Sequence, residues 1–260
     1  MGWRFARDAA KIERYIYLLS RTRSSPMVKS SALTPAIELA TASPARFPGE
    51  SDDYRAARTA LLAEEIELRR HIEYVAQLRR QLPRGGLIPD DYVFQGAEGP
   101  INFSALFGQH DTLITYSWMF GPQRERPCPM CTCMLSALDG EMSDLAQRVA
   151  FVVFATSPVE RMQAFASERG WRALRLFSSS GNTFNRDYAF ETESSGDNAA
   201  VNVFQREADG IRHFWGGEMG SGTADPGQDP RGAPDLMPLW NILDMTPAGR
   251  GADWYPKLDY

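Results

Sequence analysis

The residues best suited to chemistry are two cysteines in the segment Cys128-Pro129-Met130-Cys131. The residues before them read as a buried strand and a short loop, and those after them as a helix. Cys128 is therefore predicted at the helix start, where unpaired backbone N–H groups and the positive end of the helix dipole favour a thiolate. Pro129 fits the first helical turn, where no N–H is needed. The pattern predicts a redox-active pair that exchanges disulfides.

Four further side chains close in sequence are candidates for supporting this pair. Arg124 and Arg126 would add positive potential beside the thiolate, although Glu125 between them dilutes it. Trp118 and Phe120 would form an apolar wall next to the cysteines, and core packing explains them equally well. Pro129 completes the predicted supporting set.

The cysteines are predicted to divide the work. Cys128 is the attacking thiol, Cys131 lies one turn inside the helix with a higher pKa and resolves the mixed disulfide, and Cys133 is silent. The alternative is a zinc site built from the three sulfurs with His110 or His213. A helix turns 100° per residue, so Cys133 would point about 140° away from Cys128, which argues against the metal.

Composition sets the class of protein. The 260 residues carry 28 Lys and Arg against 33 Asp and Glu, a formal charge of −5, which excludes a general polyanion binder such as a nucleic-acid-binding protein. No apolar run reaches the roughly 18 residues that a membrane helix needs. Three cysteines exclude a disulfide-stapled secreted scaffold. We expect a cytoplasmic protein that needs no cofactor.

The amino-terminal part divides into an arm and a long helix. Residues 1–49 read as a basic amphipathic arm followed by a loose Pro- and Ser-rich linker at 22–50; the arm is a transit peptide, a membrane-surface helix or, as we prefer, a dispensable extension. Residues 50–86 contain a helix over 51–82, with Ser51 as its N-cap and Pro83 ending it. Its length suggests a homodimer through helix 51–82.

Residues 87–260 read as one α/β domain with a mixed sheet. The runs Thr112–Trp118 and Arg148–Ala155 are apolar and β-rich, which predicts adjacent parallel strands joined by a helix. A hairpin is predicted over 200–205 and 211–215. The remaining predicted elements are strands at 92–95, 101–103 and 173–177, a short helical turn at 104–107, a helix at 158–169, a loop at 216–234 and a last helix at 236–243.

Motifs spread along the chain resemble a bacterial thioredoxin-like family of unassigned function, whose members are described as predicted dithiol-disulfide oxidoreductases. The resemblance covers about residues 50–260. The motifs are Tyr116, Met119-Phe120-Gly121-Pro122, Cys128-Pro129-x-Cys131, Asp139-Gly140, Ser157-Pro158, Gly170-Trp171, Ser178-Ser179-x-Gly181, Phe184-Asn185-x-Asp187 and Leu243-Asp-Met-Thr246-Pro247-x-Gly249-Arg250.

This resemblance implies a thioredoxin-like mixed sheet flanked by helices, with a peroxiredoxin-like leading segment and the long amino-terminal helix outside the core. It also implies that the cysteine pair is the redox centre. The chain departs from thioredoxins before the strand that opens the closing hairpin, where they carry a cis-proline. Here that position reads Asp197-Asn198-Ala199-Ala200.

Two functions remain open at this stage. The first is a thiol–disulfide oxidoreductase that acts on a protein or small-molecule disulfide and is recycled by an external thiol reductant. Thiol peroxidase activity is a weaker version, because Glu125 stands where peroxiredoxins have the threonine of Thr-x-x-Cys. The second is a non-catalytic binding or assembly protein that uses the long helix as its partner surface.

Overall fold

The computed structural model of the protein describes residues 33–89, 91–191, 196–217 and 257–258. The chain divides into two compact units, residues 1–80 and residues 81–260. The predicted helix at 236–243 lies outside the described residues, as do the arm before residue 33 and most of the predicted loop at 216–234. Within the described residues, none of the helices combines the length and the apolar character needed to cross a bilayer.

The first unit is dominated by the predicted long helix. Helix α1 spans Ala36–Thr41 and helix α2 spans Asp52–Arg80. The Ser51 hydroxyl accepts a hydrogen bond from the Tyr54 N–H at 3.2 Å, which satisfies a free donor in the first turn. The helix ends at Arg80 and not at residue 82, since a residue before proline is driven out of the helical region and Leu82 precedes Pro83.

Helix α1 corrects the prediction of a loose linker at 22–50. Ala36 and Ala40 lie one turn apart on its surface, and both are buried in a small cluster with Ile66 of α2. The Arg70 guanidinium also donates to the Thr34 carbonyl at 2.7 Å. Two alanines and a preceding proline give no periodic signal in the sequence. The small side chains of the two alanines nevertheless allow α1 to pack closely against α2.

The second unit is built on one mixed sheet. Within the described residues it has seven strands in the order β2-β1-β5-β4-β3-β6-β7. The strands are β1 Val93–Gly96, β2 Gly99–Asn102, β3 Thr112–Ser117, β4 Ala150–Ala155, β5 Leu176–Ser178, β6 Ala200–Glu207 and β7 Gly210–Gly217. The connecting helices are a 3-10 turn Phe103–Phe107, α3 Pro129–Leu145, α4 Val159–Arg169 and α5 Phe184–Tyr188.

Strands β3 and β4 are adjacent and parallel, as predicted from their composition. Leu113 pairs with Ala150 and Ser117 with Phe154, with helix α3 as the connection between the strands. Strand β5 is parallel to β4, whereas β6 is antiparallel to β3 and β7 antiparallel to β6. The hairpin predicted over residues 200–215 is therefore confirmed.

Helices cover both faces of the sheet, and side chains alternate between two cores. On one face Tyr116 and Val153 pack with side chains of α3 and α4, and this core contains Cys131. On the other face Leu113, Val152 and Phe154 pack under the 3-10 turn and α5. The second core is rich in phenylalanine, with the rings of Phe94 and Phe154 stacked at 4.0 Å between centroids.

This arrangement is a thioredoxin-like mixed sheet flanked by helices, with the long helix α2 in the other unit. The predicted fold class is therefore confirmed. Because α3 follows β3 directly, its first turn stands at the carboxyl end of the central parallel strands, where open α/β sheets place their reactive groups.

Two of the differences between the observed and the predicted strand bounds have clear local reasons. Strand β5 begins at Leu176 and not at 173, because the Asp139 carboxylate accepts the backbone N–H groups of Arg172, Ala173 and Leu174 and withholds them from the sheet. Strand β7 runs through Gly216, where a loop was predicted. A Cβ on Gly216 would come within 2.7 Å of the Asn202 side-chain oxygen, so glycine lets the two strands pair there without displacing that amide.

Candidate active site

Cys128 occupies the N-cap of α3, with Pro129 at the first helical position, as predicted. Its own N–H donates to the Met119 carbonyl at 3.0 Å, and its carbonyl accepts the Thr132 N–H at 3.0 Å. The backbone N–H groups of Met130 and Cys131, at the start of the helix, help to lower the pKa of the Cys128 thiol. Pro129 stands at a helix position whose N–H would have no partner within the helix, so it costs the first turn no hydrogen bond.

The two thiols of the pair are in contact, and both are free. Each thiol is the largest cause of the pKa shift of the other. Cys131 is only 4% exposed and lies in the core beneath the helix start, whereas Cys128 is partly buried. A group arriving from solvent therefore meets Cys128 first.

The environment moves the two pKa values in opposite directions. The hydrogen bond from Cys131, followed by the backbone N–H groups and the charge of Arg124, lowers the pKa of Cys128 from 9.0 to about 6, against a smaller opposing effect of burial. The same hydrogen bond and burial raise the pKa of the Cys131 thiol well above its usual range. Near neutral pH the pair is one thiolate and one thiol, which suits an attacking and a resolving cysteine.

Cys133 stands apart from the pair. It is partly buried, and burial raises the pKa of its thiol. His213 bonds Asn202 at 2.8 Å among the side chains of the sheet's other face. Within the described part of the chain, no group of three or more His, Cys, Asp or Glu side chains is arranged to hold a metal ion.

The predicted aromatic wall belongs to the core under the pair. Trp118 and Phe120 are 1% and 2% exposed, and their ring centroids are 4.8 Å apart. They extend into Phe165 of α4 and Trp171 after it, and the same core holds Cys131. The rings support the helix start from beneath and do not line a surface for substrate.

The two arginines predicted to add positive potential beside Cys128 have different roles in the structure. Arg124 contributes positive charge toward Cys128, and its Nε donates to the Asp197 carboxylate at 2.9 Å. Arg126 pairs with Glu168, with N–O distances of 2.6 and 3.0 Å, and its guanidinium lies over the Phe165 ring. Arg126 therefore ties the loop to α4, and of the two arginines it is Arg124 that lowers the pKa of Cys128.

Asp197 is a site residue that the sequence analysis mentioned only because its segment lacks a proline. It stands in the segment where thioredoxins carry the cis-proline, just before β6. Its carboxylate accepts the Gly121 N–H at 2.7 Å as well as the Arg124 guanidinium. The segment before β6 is thus joined to the loop before the cysteines by an ion pair and a backbone hydrogen bond.

Arg161 of α4 was missed, because a single arginine in a helix carries no motif. Its guanidinium lies 4.4 Å from the centroid of the Phe120 ring and donates to the Ser157 hydroxyl at 3.2 Å. The same group donates to three carbonyl oxygens of the loop before the cysteines, those of Gly121, Arg124 and Glu125. Arg161 therefore fixes the course of the loop that delivers Cys128 to the helix start.

Tyr116 was also missed as a site residue, although it is one of the motif positions. It lies on β3 and is 2% exposed. Burial, and then the neighbouring Cys131 thiol, raise the pKa of its phenol well above the usual range. The sequence of β3 is a continuous apolar run that does not single out Tyr116, and only the packing of α3 on the sheet brings Tyr116 into the core that holds Cys131.

One family model matches most of the chain. The family described as "Bacterial protein of unknown function (DUF899)" matches residues 44–260. A search among curated proteins gives no match.

Solved structures also match part of this chain. Reduced Prx3 from Vibrio vulnificus in complex with hydrogen peroxide is 8% identical, with a TM-score of 0.41, over 56% of this chain and 92% of that chain. A pneumococcal exposed lipoprotein thioredoxin is 10% identical, with a TM-score of 0.37, over 49% and 87%. A secreted Mycobacterium tuberculosis disulfide oxidoreductase homologous to Escherichia coli DsbE is 18% identical, with a TM-score of 0.33, over 44% and 76%.

Proposed function

We propose that this chain, which belongs to the bacterial protein family of unknown function DUF899, is a thiol–disulfide oxidoreductase that cycles Cys128 and Cys131 between dithiol and disulfide. The observation that carries the proposal is the asymmetry of the pair. One sulfur lies partly buried at a helix start with its pKa lowered to about 6, and the other is buried beneath it with its pKa raised. Disulfide exchange needs a thiolate to attack and a second thiol to resolve.

The reaction has two steps. The Cys128 thiolate attacks one sulfur of a substrate disulfide, so a Cys128–substrate bond forms, the substrate S–S bond breaks and one substrate thiolate leaves. The Cys131 sulfur then attacks Cys128, forming the Cys128–Cys131 disulfide and releasing the second substrate thiol. The substrate is reduced by two electrons, and the protein is oxidised by two.

The substrate class follows from this chemistry. A protein or small-molecule disulfide is the oxidant, and an external thiol reductant restores the dithiol. We place this cycle in the cytoplasm, where such reductants keep thiols reduced. Peroxide reduction is the less favoured reaction, since Glu125 occupies the position of the threonine in the Thr-x-x-Cys motif of peroxiredoxins. The Glu125 carbonyl accepts a hydrogen bond from the Arg161 guanidinium.

The direct test is a redox titration of the pair against glutathione or dithiothreitol buffers, followed by mass mapping of the disulfide. We expect a reversible two-electron transition that joins Cys128 to Cys131, with a potential in the range of thioredoxins and glutaredoxins. A pair that stays reduced in every buffer, or a disulfide that includes Cys133, would contradict the proposal.

The rate of Cys128 alkylation should follow pH with a midpoint near 6, set by the lowered pKa of this thiol. The thiolate is the nucleophile, so the rate is at its plateau above the midpoint and falls as the pH drops through it. Iodoacetamide labelling read by peptide mass spectrometry separates the three cysteines. Labelling of Cys133, whose pKa is raised, is the internal control and should increase only at alkaline pH. A Cys128 midpoint at 8 or above would refute the assignment.

A second candidate function is assembly through α2, and one observation favours it. Three apolar residues exposed by half or more lie seven positions apart on this helix, followed by a fourth one turn later. They are Tyr54, Leu61, Leu68 and Ile72. Seven-residue spacing is the repeat by which helices pair in coiled coils.

The charges at the ends of α2 favour a second copy of this chain as the partner. The first turn carries Asp52 and Asp53, and the last turn carries Arg79 and Arg80. An antiparallel pair of α2 helices would set each acidic end beside a basic end. The proposed partner surface is therefore the stripe of an antiparallel homodimer.

Sedimentation tests this surface. The double variant Leu61→Glu, Leu68→Glu is expected to be monomeric at concentrations where the parent is dimeric, because four like charges would face each other across the pair. The control Phe190→Glu alters an apolar residue that is 65% exposed in the other unit, and it should sediment like the parent. A monomeric parent would refute the homodimer.

A further inference from the structure

We propose that a cleft beside strand β5 binds a small aromatic carboxylate, at a second site separate from the cysteine pair. The cleft has a volume of about 840 Å³ and lies between the β1–β2 hairpin, helix α4 and the segment that leads into β5. Cavities of several hundred Å³ hold small organic ligands. The class of ligand follows from the side chains that line the cleft.

The cleft and the cysteine pair lie toward opposite ends of the parallel strands. Strands β3, β4 and β5 are parallel, and Cys128 follows the carboxyl end of β3. Strand β1 is antiparallel to β5, with Gln95 opposite Ser178, the last residue of β5. The hairpin turn that follows Gln95 therefore lies beside the amino end of β5. A ligand in the cleft would not take the place of a disulfide substrate.

Two aromatic side chains give the cleft an apolar wall. Trp171 and Phe177 line it, and both are half-buried. The Trp171 indole N–H donates to the Ser136 hydroxyl at 3.0 Å, and the indole centroid is 5.4 Å from that of Trp118 in the core. Phe177 packs so closely against the hairpin that a Cβ on Gly96 would come within 3.0 Å of its ring. Rings that are fixed by the protein and partly open to a cleft favour a flat apolar ligand.

Two arginines give the cleft its positive charge. Arg172 and Arg175 line it, and neither guanidinium forms an ion pair with a carboxylate in the part of the chain that the structure describes. The Arg175 guanidinium donates to the Leu106 carbonyl at 2.9 Å and lies 5.5 Å from the centroid of the Phe177 ring, so its position is fixed. Partial burial lowers the pKa of Arg175, as expected for a cation that has lost water without gaining a carboxylate. A bound carboxylate would supply that missing charge and match the planar guanidinium with two parallel hydrogen bonds.

The charge balance of the cleft also favours an anion. Its lining carries the two arginines against one acidic side chain, the exposed Glu98 of the hairpin turn. The whole chain has a formal charge of −5, so a positive cleft is not a consequence of its average composition. A ring system that bears a carboxylate is therefore complementary to both the aromatic wall and the arginines.

The test is calorimetric titration of the full-length protein with 2-naphthoate and with its neutral analogue 2-naphthalenemethanol. We expect one site per chain for the carboxylate and binding of the alcohol that is weaker by about tenfold, because the alcohol forms no ion pair. The double variant Arg172→Gln, Arg175→Gln should weaken the binding of 2-naphthoate by about tenfold and leave that of the alcohol unchanged. Inorganic phosphate, which has the charge but no ring, should not compete with 2-naphthoate.

Two single variants control for net charge and for misfolding. Arg186→Gln removes an exposed positive charge from α5, outside the cleft, and should bind 2-naphthoate as the parent does. Glu98→Gln removes the acidic side chain from the cleft and should strengthen the binding of 2-naphthoate by about twofold, a gain that a folding defect cannot produce.

Four results would overturn the carboxylate site. They are a parent that does not bind 2-naphthoate, equal affinities for the carboxylate and the alcohol, parent-like binding in the double variant, and full competition by phosphate. None of these measurements involves the cysteines, so the proposed disulfide exchange stands or fails independently of them.

Discussion

The Cys131→Ser variant is expected to accumulate as a stable mixed disulfide with its substrate on Cys128. The attacking thiolate is retained, but the thiol that would displace the substrate is gone, and a serine hydroxyl does not attack a disulfide. Intact-mass spectrometry after incubation with a disulfide-linked peptide should show one peptide adduct per chain. The parent protein under the same conditions should show the loss of two hydrogens and no adduct.

The matched variants separate the roles of the three cysteines. Cys128→Ser should form no adduct, because the remaining thiols have raised pKa values. Cys133→Ser should behave as the parent does. An adduct on Cys131 in the Cys128→Ser protein, or a lost adduct in the Cys133→Ser protein, would overturn this division of roles.

Arg161→Met is expected to lower the free energy of unfolding by roughly 3 kcal/mol, since it removes several hydrogen bonds from one charged group to the loop and a cation–π contact with Phe120. Methionine keeps most of the packing volume, so the loss reports the guanidinium. Urea unfolding of the reduced protein measures it. We also expect the pKa of Cys128 to rise, because the freed loop no longer holds Arg124 near the sulfur.

Arg126→Met is the comparison for this effect. Its guanidinium pairs with Glu168 where solvent screens the charges, and it lies over the Phe165 ring, so Arg126→Met should lower the free energy of unfolding by less than Arg161→Met does. Equal losses in the two variants would mean that the loop is held by general packing and not by Arg161.

Elements defined by long local patterns were predictable from the sequence. Strands β3 and β4 are continuous apolar runs. Helix α2 has an N-cap residue before it, an apolar stripe along it and a proline shortly after its end. Helix α5, a five-residue turn at Phe184–Tyr188, was missed because so short a helix has no periodicity. Its position comes from Phe184, which is fully buried against the phenylalanines of the sheet.

The candidate site was predictable only where its residues are consecutive. The start of one helix fixes the relative positions of Cys128, Pro129 and Cys131, so their local sequence is enough to predict them. The placement of Tyr116 in the same core as Cys131 depends on how α3 packs on β3, and the contacts of Asp197 and Arg161 depend on segments more than thirty residues away along the chain. Such contacts are products of tertiary packing, and no local pattern announces them.

The burial of Cys131 has a kinetic consequence. With that sulfur enclosed, the oxidised pair offers a single accessible atom, the Cys128 sulfur, to whatever reduces it. The electron donor and the disulfide substrate must then both react at the Cys128 sulfur, and the two cannot bind there at the same time. Turnover of this kind follows ping-pong kinetics, for which double-reciprocal plots are parallel. An excess of the disulfide would also inhibit by occupying the oxidised protein, and an excess of the reductant by occupying the reduced protein.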